Sequence, residues 1–200
     1  MMNAKFRRTL VRAVLAGTIL AAGSAAALAV REEVAEETLI AAVRAGGTVL
    51  YLRHAERYKG VHDTLTPASP WTDFADCSQQ RNLTPDGRTE ARTLGEGFRR
   101  LGIRVDRVVA LPLCRTRDTA ILAFGNVVLD RRMYDSDFVA RQLAVPPQAG
   151  SDTVLVSSEF QLRQLVGFQL DPAEMAVFRP DGNGGTKLLG RLQVSDLLDD

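Results

Sequence analysis

The chain has 200 residues, 46% of them hydrophobic, and a formal net charge of +1. That apolar content suits one globular domain with a packed core. The near-neutral balance argues against a general nucleic-acid or membrane-surface protein, which needs a basic excess on one face.

In chain order, Lys5, Arg7, Arg8 and Arg12 lead into an apolar run from Ala13 to Ala29, with no acidic residue before Glu32. Ala27-Leu28-Ala29 offers small residues at signal-peptidase spacing, so 1–29 is expected to be a signal peptide and 30–200 a single exported domain, periplasmic in a bacterium. The run falls short of the roughly 20 residues that span a bilayer comfortably. The alternative is an uncleaved N-terminal anchor, the one route to a membrane that this sequence offers. Cleavage removes four cations and no anions, leaving 21 Lys+Arg against 24 Asp+Glu, a net charge of about −3.

Residues 32–45 read as a helix with Val34, Leu39, Ile40 and Val43 on one side, stopped by Gly46-Gly47. The apolar run 48–52 reads as a strand covered on both faces. From Glu56 to Gln80 the sequence is polar and aperiodic, a long loop of the kind that forms a lid or a binding wall. Thr84-Pro85 starts a helix, Thr at the N-cap and Pro at its first position, that runs to Gly102. A strand over 107–111, a helix over 115–124, a strand over 127–129 and a helix over 136–144 follow. Then come a strand over 154–156, a short helix to about 166, and two strands, 175–179 and 186–192. The glycine-rich segment 180–185 reads as a turn between antiparallel strands, since no helix follows it. Cys77 and Cys114 are a candidate disulfide in an oxidising compartment. The alternative is two free thiols, and the pair is too sparse for structural zinc.

Alternating strands and helices imply an α/β three-layer sandwich, a mostly parallel sheet with helices on both faces. Right-handed crossovers bring the strand ends preceding His54, Arg115 and Ser158 to one edge, where open sheets bind ligands. Arg53 and Arg115 are forked cations that match phosphate oxygens. A neutral His54 between them has the chemistry of a nucleophile, its second nitrogen needing an acceptor such as a backbone carbonyl.

Arg53-His54-Ala55-Glu56, the helix start Leu83-Thr84-Pro85-Asp86-Gly87-Arg88 and Arg115-Thr116-Arg117-Asp118-Thr119-Ala120 occur in that order. Together they resemble the histidine phosphatase (phosphoglycerate mutase-like) superfamily, over about residues 36–192. The resemblance implies that His54 becomes the phosphohistidine, with Arg53 and Arg115 clamping the phosphate. It gives Arg81 either a substrate contact or a solvent-facing position. It implies a small phosphorylated substrate or phosphate-like anion, no nucleic acid, no metal and no organic cofactor.

Three departures stand out. Ala55 replaces the motif's glycine, and Leu111 stands where many members have serine. The third concerns the strand ending at Val156, after which members carry a second histidine that contacts the phosphoryl group. Here Ser158 takes that position, followed by Glu159. The other histidine, His62, lies in the long loop. Candidate acids for the leaving group are Asp135, Asp137 and Glu56, with Asp76 a further alternative. Each of these is also a natural capping or ion-pairing carboxylate. Two readings follow: a weakened phosphomonoesterase, or a pseudophosphatase that keeps the pocket for a phosphate ligand or a partner. Mutase activity is opposed by the short length, the leader and the lost histidine.

Overall fold

The central strand, β1 (Val49–Arg53), is buried at every position but its last. A computed structural model describes residues 36–60 and 63–198. The leader over 1–29, the first residues of the helix expected from 32, and His62 lie outside the described residues. β1 pairs in parallel with β4 (Asp152–Ser157), which pairs in parallel with β2 (Val105–Ala110), and β2 with the short β3 (Val128–Leu129). On its other side β1 meets β5 (Met175–Pro180) and then β6 (Thr186–Leu192), both pairings antiparallel. The order is β3-β2-β4-β1-β5-β6, a mostly parallel sheet with an antiparallel edge.

Alternation along β1 divides the core into two layers. Leu50 and Leu52 join a cluster with Leu39, Ile40 and Val43 of α1 (36–44), and with Leu94 and Phe98 of α3 (Pro85–Arg100). Ala120 and Ala123 of α4 (Cys114–Phe124) complete that face. Val49 and Tyr51 face the opposite layer, built from Phe74 of α2 (Trp71–Ala75), Phe138 and Leu143 of α5 (Ser136–Leu143), and Leu162 of α6 (Glu159–Val166). The chain is therefore an α/β sandwich of three layers.

The stretch from Glu56 to Gln80 is not a loop throughout. It contains α2 and a single 3₁₀ turn, Cys77–Gln79. Nothing local announces α2, because Pro70 offers no side-chain cap. The helix forms because Phe74 is buried, its ring 5.8 Å from Trp71 and 6.3 Å from Tyr134. The buried Gln80 side chain then donates to the carbonyls of Phe74 (3.1 Å) and Asp76 (3.0 Å) and accepts from Cys114 N (2.9 Å). A disulfide between Cys77 and Cys114 ties the same segment to the start of α4. Closing a loop of this length removes about 3–4 kcal/mol of unfolded-chain entropy in the simplest model.

β4 starts earlier than its apolar run, at Asp152. One oxygen of this buried carboxylate accepts from both the amide (2.8 Å) and the hydroxyl (2.7 Å) of Thr48, which allows a charged residue type inside the sheet. The expected cap of α3 is present, with Thr84 Oγ1 accepting from Gly87 N at 2.9 Å. Gly46 ends α1 with φ +76°, a conformation that costs other residues strain.

α3 and α4 touch through their backbones at Gly95, where a Cβ would come within 2.2 Å of the Ala123 carbonyl oxygen. Neither partner is a flexible side chain that can move aside, so Gly95→Ala must push the helices apart. We expect a loss of about 1–3 kcal/mol, read as a fall of roughly 2–10 °C in Tm. An unchanged Tm would show that the two helices separate freely.

Candidate active site

The end of β1 delivers Arg53 and His54 to the carboxyl edge of the sheet. Their position is fixed from several sides. His54 N donates to Ser157 O (3.0 Å) and its carbonyl accepts from Ala173 N (3.3 Å). Ala55 N donates to Thr119 Oγ1 (3.1 Å), and that hydroxyl donates to Arg115 O (2.7 Å). This gives the Arg-x-x-x-Thr-Ala segment a physical meaning: Thr119 locks the turn after His54 to the α4 turn that carries Arg115. Further on, Thr84 N donates to Glu56 O (3.1 Å), and Thr84 Oγ1 donates to Glu56 Oε2 (2.9 Å). A Cβ on Gly87 would lie 2.0 Å from Glu56 O, so α3 can approach this turn only through a glycine.

His54 is 3% exposed, and its Nδ1 lies 2.8 Å from Ala55 O. That contact assigns the proton to Nδ1 and leaves Nε2 with a free lone pair. Burial first, then the charge of Arg115, pushes the imidazole pKa down to about 3, with Arg53 and Arg57 adding to the effect. The ring is neutral at every ordinary pH.

Four guanidinium groups, Arg53, Arg57, Arg81 and Arg115, and two carboxylates, Asp63 and Glu159, share this neighbourhood. Arg53 Nη2 pairs with Glu159 Oε2 at 2.8 Å, and its Nη1 donates to Leu170 O. Arg81 grips Asp63 through Nε (3.0 Å), Nη2 (2.8 Å) and its backbone N (2.9 Å). Arg115 Nη1 lies 2.8 Å from the same carboxylate, but off the N–H direction, so this is an ion pair rather than an aligned hydrogen bond. Burial alone would raise the Asp63 carboxyl. The Arg81 amide and the Arg115 and Arg81 charges outweigh it and hold the group below the usual carboxylate range. Glu90, which the Arg53 charge also reaches, makes three carboxylates against these four cations, and the balance around the neutral histidine stays positive. Buried N–H groups without a hydrogen-bond partner remain at Nε of Arg53, Arg57 and Arg115. Unpaired buried donors are costly, and here they gather on one charge type beside one neutral imidazole.

Ser158 follows β4 directly, and the pairing of Arg53 with Ser157 sets it beside His54. Its hydroxyl accepts from Phe160 N at 3.5 Å, a long cap for α6, and its carbonyl accepts from the Tyr51 hydroxyl. Glu159, the next residue, turns its carboxylate to Arg53. Three of the four candidate acids have structural partners. Asp135 caps α5 by accepting from Asp137 N (2.8 Å), Asp76 accepts from Ser78 N (2.9 Å), and Glu56 holds Thr84. Asp137 sits in the first turn of α5, favourable to that helix's dipole. Arg117 pairs with Asp118 at 2.9 Å.

Arg57 and Asp63 were not singled out in the sequence. Arg57, four residues after Arg53, carries the same charge onto the same edge, and that spacing is the one local clue. Asp63 has none, because it reaches the arginines across the loop. Among the described residues no three His, Cys, Asp or Glu side chains gather as a metal site. No helix there is long and apolar enough to cross a membrane.

The chain has the α/β fold of solved phosphoglycerate mutase-like phosphatases. No family model matches the chain. The protein histidine phosphatase SixA, solved with tungstate, superposes with a TM-score of 0.51 at 17% identity, covering 75% of this chain and 99% of that one. Phosphoserine phosphatase from Entamoeba histolytica, solved with 3-phosphoglyceric acid, gives 0.50 at 15% identity, covering 75% and 98%. Among curated proteins, the mitochondrial serine/threonine-protein phosphatase Pgam5 of Drosophila virilis is 27% identical over 88 residues, 44% of this chain and 30% of the relative. That of Drosophila grimshawi is 28% identical over 91 residues, 45% and 32%. The matched region thus spans about a third of the length of these curated relatives.

Proposed function

We propose that the protein hydrolyses phosphomonoesters slowly, through a phosphohistidine at His54. The observation that carries this reading is the buried neutral imidazole, with Nδ1 held by Ala55 O, set among guanidinium groups that keep unpaired N–H donors. The Nε2 lone pair attacks phosphorus as the bond to the leaving oxygen breaks, and water then cleaves the phosphoenzyme to release phosphate. Arg53 and Arg115 neutralise the transferring group. Asp135, Asp76 and Glu56 already serve the fold, and Asp137 belongs to the first turn of α5. With protonation of the leaving oxygen left to solvent, esters with acidic leaving groups are favoured.

The test is hydrolysis of p-nitrophenyl phosphate by the purified protein beside His54→Ala, with acid-labile phosphate on the protein measured after quenching. Slow turnover and labelled protein, both lost in His54→Ala, are expected. Turnover that survives in His54→Ala would sink the reading. A second reading, a pseudophosphatase that binds a phosphate-like ligand without turnover, is favoured by the Arg53–Glu159 pair, which ties down one of the clamp arginines. It is selected if tungstate binds and no ester is cleaved.

Export to an oxidising compartment is part of this proposal. The leader pattern of 1–29 and the Cys77–Cys114 bridge support it. The N-terminal sequence of the protein recovered from cells distinguishes cleavage after Ala29 from a retained anchor.

A further inference from the structure

Both clamp arginines of this site already hold a carboxylate from the chain itself. Arg53 holds Glu159 and Arg115 holds Asp63, each at 2.8 Å. Asp63 is the deeper of the two, its side chain 9% exposed against 33% for Glu159. It enters from 63–66, a stretch without regular secondary structure. Its Oδ1 accepts from Arg81 N (2.9 Å), and its Oδ2 meets Arg81 Nε (3.0 Å), Arg81 Nη2 (2.8 Å) and Arg115 Nη1 (2.8 Å). Arg57 is attracted to the same carboxylate.

Forked guanidinium groups take carboxylate and phosphate oxygens by the same geometry, so Asp63 stands where a bound oxyanion would. The fit is incomplete. One oxygen faces three cationic nitrogens, Arg115 Nη1 meets it off the N–H direction, and Arg115 Nε has no hydrogen-bond partner. A planar carboxylate has only two oxygens to offer. A tetrahedral dianion has more oxygens and more charge, and can serve Arg81 and Arg115 separately. Stripping these buried arginines of any anion is costly, whereas exchanging one anion for a better one is not.

We propose that Asp63 is an internal anion that fills the oxyanion site of the free protein and leaves Arg81 and Arg115 when a phosphoryl group enters. The inference rests on the reading of this edge as an oxyanion site. It makes Asp63 a selectivity residue, since only an anion that pairs better than a carboxylate gains the site. A ligand that needs a minor, open form binds with its affinity reduced by the population of that form. One charge-assisted hydrogen bond at stake lowers the apparent affinity about 10–100-fold.

The experiment is calorimetric titration of tungstate into the full chain, Asp63→Asn and Arg115→Ala, with circular dichroism as the check on folding. Hydrogen exchange at the Arg81 amide, read by NMR in the parent with and without tungstate, is the second arm and needs no variant. Asp63→Asn keeps an oxygen for that amide and loses the charge, so it is expected to bind tungstate about 10-fold or more tightly than the parent. Tungstate is expected to speed exchange at the Arg81 amide, because the acceptor Asp63 Oδ1 departs. Tighter binding in Asp63→Asn with the amide still protected would mean that Asp63 repels ligands from a fixed place, and displacement is overturned. If Asp63→Asn binds no tighter than the parent while Arg115→Ala loses binding, Asp63 merely orders the arginines and the inference falls alone. If neither the folded parent nor Asp63→Asn binds tungstate, the oxyanion reading falls and takes this inference with it.

Discussion

Ser158→His is expected to raise turnover of an aryl phosphate by about 10²–10³-fold, the amount usually lost when one donor aimed at transition-state charge is removed. The backbone is already in place for it. β4 runs parallel to β1 with Arg53 opposite Ser157, so residue 158 leaves the sheet beside His54. Little stands against the replacement. The Ser158 hydroxyl caps α6 through a bond of 3.5 Å, and losing such a cap costs at the low end of about 0.5–2 kcal/mol. Glu159 is the remaining obstacle, since it holds Arg53 at 2.8 Å. Ser158→His/Glu159→Ala should therefore exceed Ser158→His alone, by freeing the guanidinium as well as adding the imidazole. The measurement is kcat for p-nitrophenyl phosphate in the parent and both variants, alongside tungstate affinity. A gain in affinity without a gain in kcat would place the bottleneck at leaving-group protonation. No gain in either would mean that residue 158 does not face the phosphoryl group.

The same residues show what could be read from the sequence and what could not. β1 is legible because a strand buried on both faces is apolar at every position, and Thr84-Pro85 is legible because a cap and a first-turn proline are local chemistry. His54, Arg115 and Ser158 could be grouped because each follows a strand, and crossover handedness brings those ends to one edge. The pairing of Cys77 with Cys114 needed only the composition and an assumed compartment. Contacts made across a loop were beyond reach. Asp63 meets Arg81 and Arg115 across a segment whose course depends on the burial of Phe74 in the core. Glu159 illustrates the limit differently. Its place beside the site was apparent, but the direction of its carboxylate depends on whether Arg53 is free to meet it. Arg57 lacked a hydrophobic or capping pattern to mark it, and only its spacing from Arg53 hinted at its place.

Acid is expected to unfold this protein through His54. The folded imidazole stays neutral down to about pH 3, while an unfolded one titrates near 6.5. Between those values the unfolded chain takes up a proton that the folded chain refuses. Stability is therefore fully present above about pH 6.5 and is lost as pH falls, by about 1.4 kcal/mol per unit. From pH 7.5 to 4.5 the loss is on the order of 2–3 kcal/mol. His54→Asn removes the titrating group and can keep a donor to Ala55 O, so its stability should fall less over the same range. Asp63, held low, and Asp152, raised by burial, titrate in both proteins and cancel to first order in the difference. Urea unfolding of the two proteins at pH 7.5 and 4.5 measures it. Parallel losses would mean that His54 is solvated in the folded state. The consequence for catalysis has the same origin, because burial that keeps the nucleophile neutral removes its own protonation as a cause of acid inactivation. Activity and folded fraction should then decline together below pH 6. If activity instead titrates near 6.5 in a protein that remains folded, the pocket around His54 is open to water, and the closed arrangement of Arg53, Arg57 and Arg115 is not the state that turns over.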